Sequence, residues 1–289
     1  MMDRHGIVPR FKGRVAAARP RGRQAPLRDR PARRWRACRE ERGAGKVRGK
    51  DDSILRRVRR RRELLDAAPG TWPAKRELAA AVRELMDCLS ATDAPEEELL
   101  SIAQQVRQSA ERFRGQPEMK NRPGVAEASL AGGMEIFIDR SPMVGLANPM
   151  APPMALEPDE EEQVIRGEVT FGRAYEGAPG CVHGGFVAAV LDEALGMACS
   201  FSGSPGMTAE ITCRYRKPTP IRVPLRIEAR LDGVDGRKLR TSGAIYAGDL
   251  LTAEAAGLFI SIPFSKFGDL RDAERRREAA REVQRPDEE

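Results

Sequence analysis

The amino-acid sequence predicts an α+β fold in which consecutive antiparallel strands wrap one long apolar helix. Three observations carry that expectation. Phe186, Val187, Ala188, Ala189, Val190, Leu191, Ala194 and Leu195 form a helical segment without a polar stripe, the signature of a helix buried on all sides. Soon after it, Met207, Ala209, Ile211, Cys213 and Tyr215 alternate with Thr208, Glu210, Thr212, Arg214 and Arg216, the period of a strand with two unlike faces. Asp235-Gly236 and Gly248-Asp249 then separate three further alternating segments, as hairpin turns do.

Taken in order, residues 1–57 are rich in Arg, Pro, Gly and Ala, with few large apolar side chains, and read as a disordered basic arm. Residues 58–116 read as an amphipathic pair of helices. In the first, opened by Pro73, Leu78, Val82, Leu85 and Leu89 make one stripe. The second starts at Asp93-Ala94-Pro95-Glu96, which resembles a capping box, and continues through Leu99, Ile102, Val106, Ala110 and Phe113. Residues 117–133, with Pro117, Pro123 and Gly132-Gly133, form a linker. The main domain spans 134–267. It begins with a short strand or irregular lead-in at Met134–Ile138 and a stretch holding Pro149, Pro152, Pro153 and Pro158. A strand follows over Val164–Phe171, with Val169 and Phe171 on one face, then the apolar helix from Gly184 to Ser200. Four strands cover 207–216, 225–231, 239–245 and 252–262. Residues 268–289 are a charged tail.

Charge is unevenly spread over the 289 residues. The first 50 carry 17 Lys and Arg against 4 Asp and Glu, a net +13, and the remainder 33 against 39, a net −6, so the basic excess belongs to the arm alone. The main domain therefore lacks the basic excess of a nucleic-acid binder, and nucleic acid is not expected as a partner. No uninterrupted apolar run reaches the ~20 residues of a membrane span, and the arm has no apolar core of a signal peptide. Cys38, Cys88, Cys181, Cys199 and Cys213 form no C-x-x-C pair and read as structural thiols in a reducing compartment, here the cytoplasm. With His5 and His183 the only histidines, no metal and no cofactor are expected.

The chemistry concentrates in Gly180-Cys181-Val182-His183-Gly184-Gly185-Phe186 and in Asp192, nine residues after the histidine. Glycines at the start of a helix let another group approach the free N–H groups of its first turn, where positive partial charge collects. A carboxylate on a buried helix needs a partner or a function, because burying it alone costs several kcal/mol. The turn is not that of a lipase, since no G-x-S-x-G elbow or second core histidine accompanies it, and no G-x-x-x-x-G-K makes it a P-loop. Several readings stand side by side. Asp192 is a catalytic carboxylate or one satisfied by core hydrogen bonds, with Glu193 as the rival about 100° round the helix. His183 binds ligand or stabilises the turn. Cys181 is a small buried residue or a nucleophile, and the basic residues of the later strands hold phosphates or line a solvated face. Met143, Val144, Met150, Met154 and Phe186 line an acyl tunnel or belong to the core.

These residues resemble the hotdog-fold acyl-CoA thioesterases of the phenylacetate-degradation type, nearest the branch with two N-terminal helices. The likeness rests on Gly180-x-x-His183-Gly184-Gly185, Asp192, Met207-Thr208-Ala209, Arg214-Tyr215-x-Lys217-Pro218 and Gly236-Arg237-Lys238, and covers roughly 155–265. It implies hydrolysis of an acyl-CoA thioester with Asp192 as general base or nucleophile. It further implies that Gly185 N–H and His183 hold the thioester carbonyl, that Thr208 positions water, and that Arg214, Arg216, Arg237 and Lys238 contact coenzyme A. Arg214 departs from the branch, which has an uncharged amide there. The alternative is a hotdog module that binds acyl-CoA without turnover. The residue spacing adds one expectation. Gly185 and Asp192 lie about 10 Å apart along one helix, at 1.5 Å per residue, whereas reacting atoms need roughly 3–3.5 Å. The site is therefore expected between subunits of a homo-oligomer, a dimer or tetramer.

Overall fold

The computed structural model describes residues 71–117 and 139–262, together with Ala273, Arg276 and Arg277. The expected basic arm, the linker, the lead-in at Met134–Ile138 and nearly all of the tail lie outside the described residues. Among the described residues two helices come first, α1 (Trp72–Leu89) and α2 (Glu96–Arg114). Next are β1 (Met154–Asp159), β2 (Val164–Val169) and a 3-10 turn at Arg173–Tyr175. Helix α3 (Gly184–Ala198) runs into a further 3-10 turn, Cys199–Ser202, and the chain closes with β3 (Gly206–Tyr215), β4 (Leu225–Asp235), β5 (Lys238–Ala247) and β6 (Leu250–Ser261).

All six strands form one antiparallel sheet in the order β1-β2-β4-β5-β6-β3. Helix α3 packs against one face of it, the arrangement expected from the sequence. Leu191 and Leu195 are fully buried there against Ile227, Leu239, Ile245 and Phe259. Both hairpin turns form as read, with Gly236 at φ 57° and Gly248 at φ 59°, a left-handed conformation that glycine adopts without penalty. Gly184–Ser202 is long and apolar enough to cross a membrane, yet it is this core helix, mostly covered by the sheet.

Four local readings need correction. The proline-rich stretch holds a strand, β1, which pairs in register with β2; as a sheet edge it accommodates Pro158. Helix α3 is not buried on all sides. Gly185, Phe186, Ala188, Ala189, Asp192 and Glu193 keep part of their surface open, because the sheet covers only one side. The capping box is absent: Pro95 occupies the N-cap without a side-chain bond, and the first turn carries Glu96, Glu97 and Glu98, whose charge suits the positive helix end. The leucine stripe of α1 does not dock either. Leu78, Leu85 and Leu89 are exposed, and the buried residue of that helix is Ala79.

Polar contacts hold α1 to the sheet domain instead. Arg76 Nε pairs with Asp139 Oδ2 at 2.6 Å, and Asp139 is fully buried. Arg83 donates to the carbonyls of Asn148 at 2.9 Å and Leu146 at 3.3 Å. Asp87 accepts from the backbone N–H of Arg173 and, at 3.4 Å, of Ala174.

Candidate active site

The site is built where the N-terminal turn of α3 meets the edge strand β3. Short bridges shape the loop leading in, joining Glu176 to Val182 and Cys181 to Pro220. The His183 N–H donates to the Tyr175 carbonyl at 2.9 Å, and the Val182 N–H to the Thr219 carbonyl at 2.8 Å. Gly177 packs against the histidine: a Cβ on it would lie 2.8 Å from His183 Cα. The loop therefore delivers His183 to the N-cap of α3 with little freedom.

His183 Nδ1 accepts the Gly185 N–H at 3.1 Å, so the imidazole caps the helix and its remaining ring proton sits on Nε2. This is the turn-stabilising reading of His183. It also engages the very N–H that the resemblance assigns to a thioester carbonyl. Gly185 is exposed, so that donor is reachable from outside once the ring moves.

Two turns along, Asp192 is half-buried and accepts the Thr208 hydroxyl proton at 2.9 Å. The contact depends on an irregularity that plain alternation hides. The β3–β6 register shifts between Thr208 and Glu210, leaving Ala209 as the extra residue of a bulge. Thr208 pairs with buried Phe259, while Ile211, Cys213 and Tyr215 pair with Gly257, Ala255 and Ala253. Directly opposed residues share a face, so the bulge turns Thr208 to the helix side together with the odd-numbered residues that follow. Strict alternation places Thr208 on the outer face, with Arg214.

Two further residues of β3 stand at the site, Cys213 beside the carboxylate and Tyr215 beside the first turn of α3. Burial first, and the Asp192 charge second, push the Cys213 thiol above its usual range, which keeps it protonated and poorly nucleophilic at neutral pH. Burial also raises the Tyr215 phenol, whose hydroxyl donates to the Gly184 carbonyl at 2.9 Å and ties the end of β3 to the first turn of α3. Cys181 is half-buried, its thiol directed at the Pro179 carbonyl at 3.6 Å.

The basic residues separate into two groups. Arg214 and Arg216 share a face and both reach Glu254, at 3.9 Å for Arg214 Nη1. Arg237 lies in the β4–β5 turn, its Nε donating to the Ser261 carbonyl at 3.2 Å, and Lys238 pairs with Ile260, which pairs with Met207. Met207 and Arg214 are seven residues apart on β3, roughly 23 Å at ~3.3 Å per residue. One chain thus does not gather the four around one ligand. Of the suggested tunnel, Val144 and Met154 are ordinary core and Met150 is exposed. Among the described residues no group of His, Cys, Asp and Glu is placed to hold a metal ion.

Residues 179–254, spanning the α3 turn, Asp192 and the strands around them, match the model of the thioesterase superfamily. A crystal structure of a thioesterase superfamily protein, 33% identical, superposes with a TM-score of 0.58 over 65% of this chain and 90% of its own. The chain belongs to the thioesterase superfamily. Within that superfamily it is similar to acyl-coenzyme A thioesterase THEM4 of Rattus norvegicus, 38% identical over 93 residues, which are 32% of this chain and 40% of that protein. THEM4 of Xenopus laevis is 34% identical over the same share of this chain and 42% of its own, and THEM5 of Homo sapiens 28% identical over 38% of its own. The match thus spans about 40% of the length of these curated relatives.

Proposed function

We propose that this protein hydrolyses acyl-coenzyme A thioesters to a free acid and coenzyme A, with Asp192 as the reacting carboxylate. The observation that carries the proposal is the Thr208–Asp192 pair, a carboxylate on the open face of α3 with one oxygen held by a hydroxyl. Asp192 Oδ2 is left for chemistry. As a base it takes a proton from water while the water oxygen attacks the thioester carbon; the C–S bond then breaks and the thiolate leaves. As a nucleophile it attacks the thioester carbon, the C–S bond breaks and the thiolate leaves, and water then cleaves the resulting anhydride to the free acid and the Asp192 carboxylate. In either case the carbonyl oxygen gains negative charge, and the N–H groups at the start of α3 suit it. Rotation of the His183 ring away from Gly185 frees that donor.

The site is completed by a second copy of the chain. Two features support this part of the proposal. Strand β3 is a sheet edge of ten residues whose Met207 is 45% and Tyr215 56% exposed, an edge suited to pairing with another strand. The open face of α3 beside it carries Gly185, Ala188 and Ala189, small residues that allow a second helix to come close. An antiparallel pairing of two β3 edges sets Gly185 of one chain toward Asp192 of the partner subunit. It also carries the Arg214–Arg216 end of one chain to the Arg237–Lys238 end of the other, so both basic groups face one run of coenzyme A phosphates. The described cysteines are all free, which supports a reducing, cytoplasmic setting.

The test is release of free thiol from a panel of short, medium, long and aromatic acyl-CoAs, with binding measured in parallel. Turnover of at least one thioester is expected. Binding of acyl-CoA with no thiol released from any substrate assigns the chain to the non-catalytic class.

A further inference from the structure

We infer that Asp87 on α1 is a positioning residue for this site, setting His183 and through it the Gly185 donor. The inference rests on the proposed thioesterase reading only in its kinetic arm. Asp87 Oδ1 takes the backbone N–H groups of Arg173 and Ala174, which open the 3-10 turn and have no carbonyl of their own turn to bond. Gly172, just before them, has φ −83° and ψ −172°, extended backbone that any residue adopts. A Cβ there would nonetheless lie 2.2 Å from Asp87 Oδ1. A side chain at 172 would therefore push the Asp87 carboxylate off the turn without straining the backbone.

The turn that Asp87 caps ends in Tyr175, which touches the site in two ways. Its carbonyl accepts the His183 N–H at 2.9 Å. Its ring stands edge-on to Phe186, in the first turn of α3, with centroids 4.9 Å apart. The Tyr175 hydroxyl donates to the Met150 carbonyl at 3.2 Å, which anchors the far side of the ring. A continuous set of contacts therefore runs from Asp87 through residues 173–175 and His183 Nδ1 to the Gly185 N–H. Asp87 touches no reacting atom and acts only by fixing this turn. Helix α1 is also held by Arg76 and Arg83, so losing the Asp87 carboxylate leaves the helix docked while releasing the turn.

The experiment compares Asp87→Ala, Gly172→Ala and Asp87→Asn in the full chain. Asparagine keeps an acceptor oxygen for the two N–H groups; alanine at 87 removes it, and alanine at 172 displaces it. Only His5 and His183 contribute imidazole signals, so a nitrogen-15 histidine spectrum reads the ring directly. In Asp87→Ala and Gly172→Ala, hydrogen exchange at the Gly185 amide is expected to quicken about fivefold or more, the effect of losing a helix cap. His183 is expected to change from the Nε2–H tautomer alone to a mixture. The Ile245 amide in β5 should keep its rate, and Asp87→Asn should resemble wild type throughout. On an acyl-CoA substrate the two alanine variants should change kcat, while KM and the Asp87→Asn variant hold. Unchanged Gly185 exchange and ring tautomer in a folded alanine variant overturn the inference, as does equal acceleration at Gly185 and Ile245. If Asp87→Ala does not fold, Gly172→Ala against Asp87→Asn decides by the same criteria. The spectra need no substrate, so an absence of thioesterase turnover refutes the proposed function and leaves this inference to be judged on its own.

Discussion

Asp192→Asn keeps the shape of the side chain and an oxygen for the Thr208 hydroxyl, but removes the charge and the basic site. The expected outcome is a 10²–10⁴-fold fall in kcat, about 3–5 kcal/mol of transition-state stabilisation, with KM little changed. Thr208→Val tests what the hydroxyl contributes. A hydrogen bond to a charged group contributes about 1.5–3 kcal/mol, and here both partners are partly exposed, so water replaces much of it. The expected cost is about 1 kcal/mol, roughly fivefold in kcat. If Thr208 works only by orienting the carboxylate, its removal should matter little once Asp192 is already asparagine. Steady-state hydrolysis by both single variants and the double variant, with thiol release as the assay, closes the cycle. Losses that multiply in the double variant would refute the idea that the two residues act as one unit, and near-normal turnover by Asp192→Asn would refute the role of the carboxylate.

Replacing Arg237 and Lys238 together by alanine should raise KM for an acyl-CoA at nearly constant kcat and leave a thioester without the nucleotide unaffected; equal losses on both substrates argue against phosphate contact. Mixing inactive Gly185→Pro and Asp192→Asn proteins should restore up to half the activity per heterodimer if each site draws on two chains, and no recovery after verified subunit exchange counts against a shared site. The raised Cys213 thiol stabilises the fold fully below its ordinary value of 9.0, and that contribution disappears as pH rises through the folded value. Asp192→Asn removes the second cause of the shift, so alkylation of Cys213, followed by peptide mass spectrometry, should begin at lower pH than in wild type. Leu195→Ala should cost about 2–5 kcal/mol in urea unfolding. A Cβ on Gly243 would sit 2.9 Å from the Glu228 carbonyl and 3.1 Å from Leu195 Cδ2, so the Leu195→Ala background should relieve only the second part of the cost of Gly243→Ala.

The periodic parts of the fold were legible in the sequence. Leu191 and Leu195 are in the core, and the turns at Gly236 and Gly248 stand where Asp-Gly and Gly-Asp placed them. Strand β1 was hidden because Pro158 within it, and Pro152 and Pro153 just before it, speak against a strand, and only its position at a sheet edge makes Pro158 acceptable. The facing of Thr208 was hidden because one extra residue at Ala209 reverses the parity of the strand. Spacing along the chain placed Arg214 and Arg237 on neighbouring elements, yet the order of strands in the sheet puts them at opposite ends of β3. The docking face of α1 is not legible from apolar spacing at all. A search for apolar periodicity selects Leu78, Leu85 and Leu89, whereas the contact is made by Arg76, Arg83 and Asp87, whose partners are backbone carbonyls, backbone N–H groups and a buried acid.

The Arg76–Asp139 pair gives the N-terminal helix a claim on the rest of the molecule. Asp139 is 0% exposed and belongs to the sheet domain, while the guanidinium opposite it comes from α1. Shortening the chain to begin after α1 would strand an acid in the interior, and breaking such a pair from one side costs about 3–5 kcal/mol. That is a large share of the 5–15 kcal/mol by which a typical domain is stable. Helix and sheet are therefore expected to melt together in a single transition, and an expression boundary drawn at the first strand would cut through one cooperative unit.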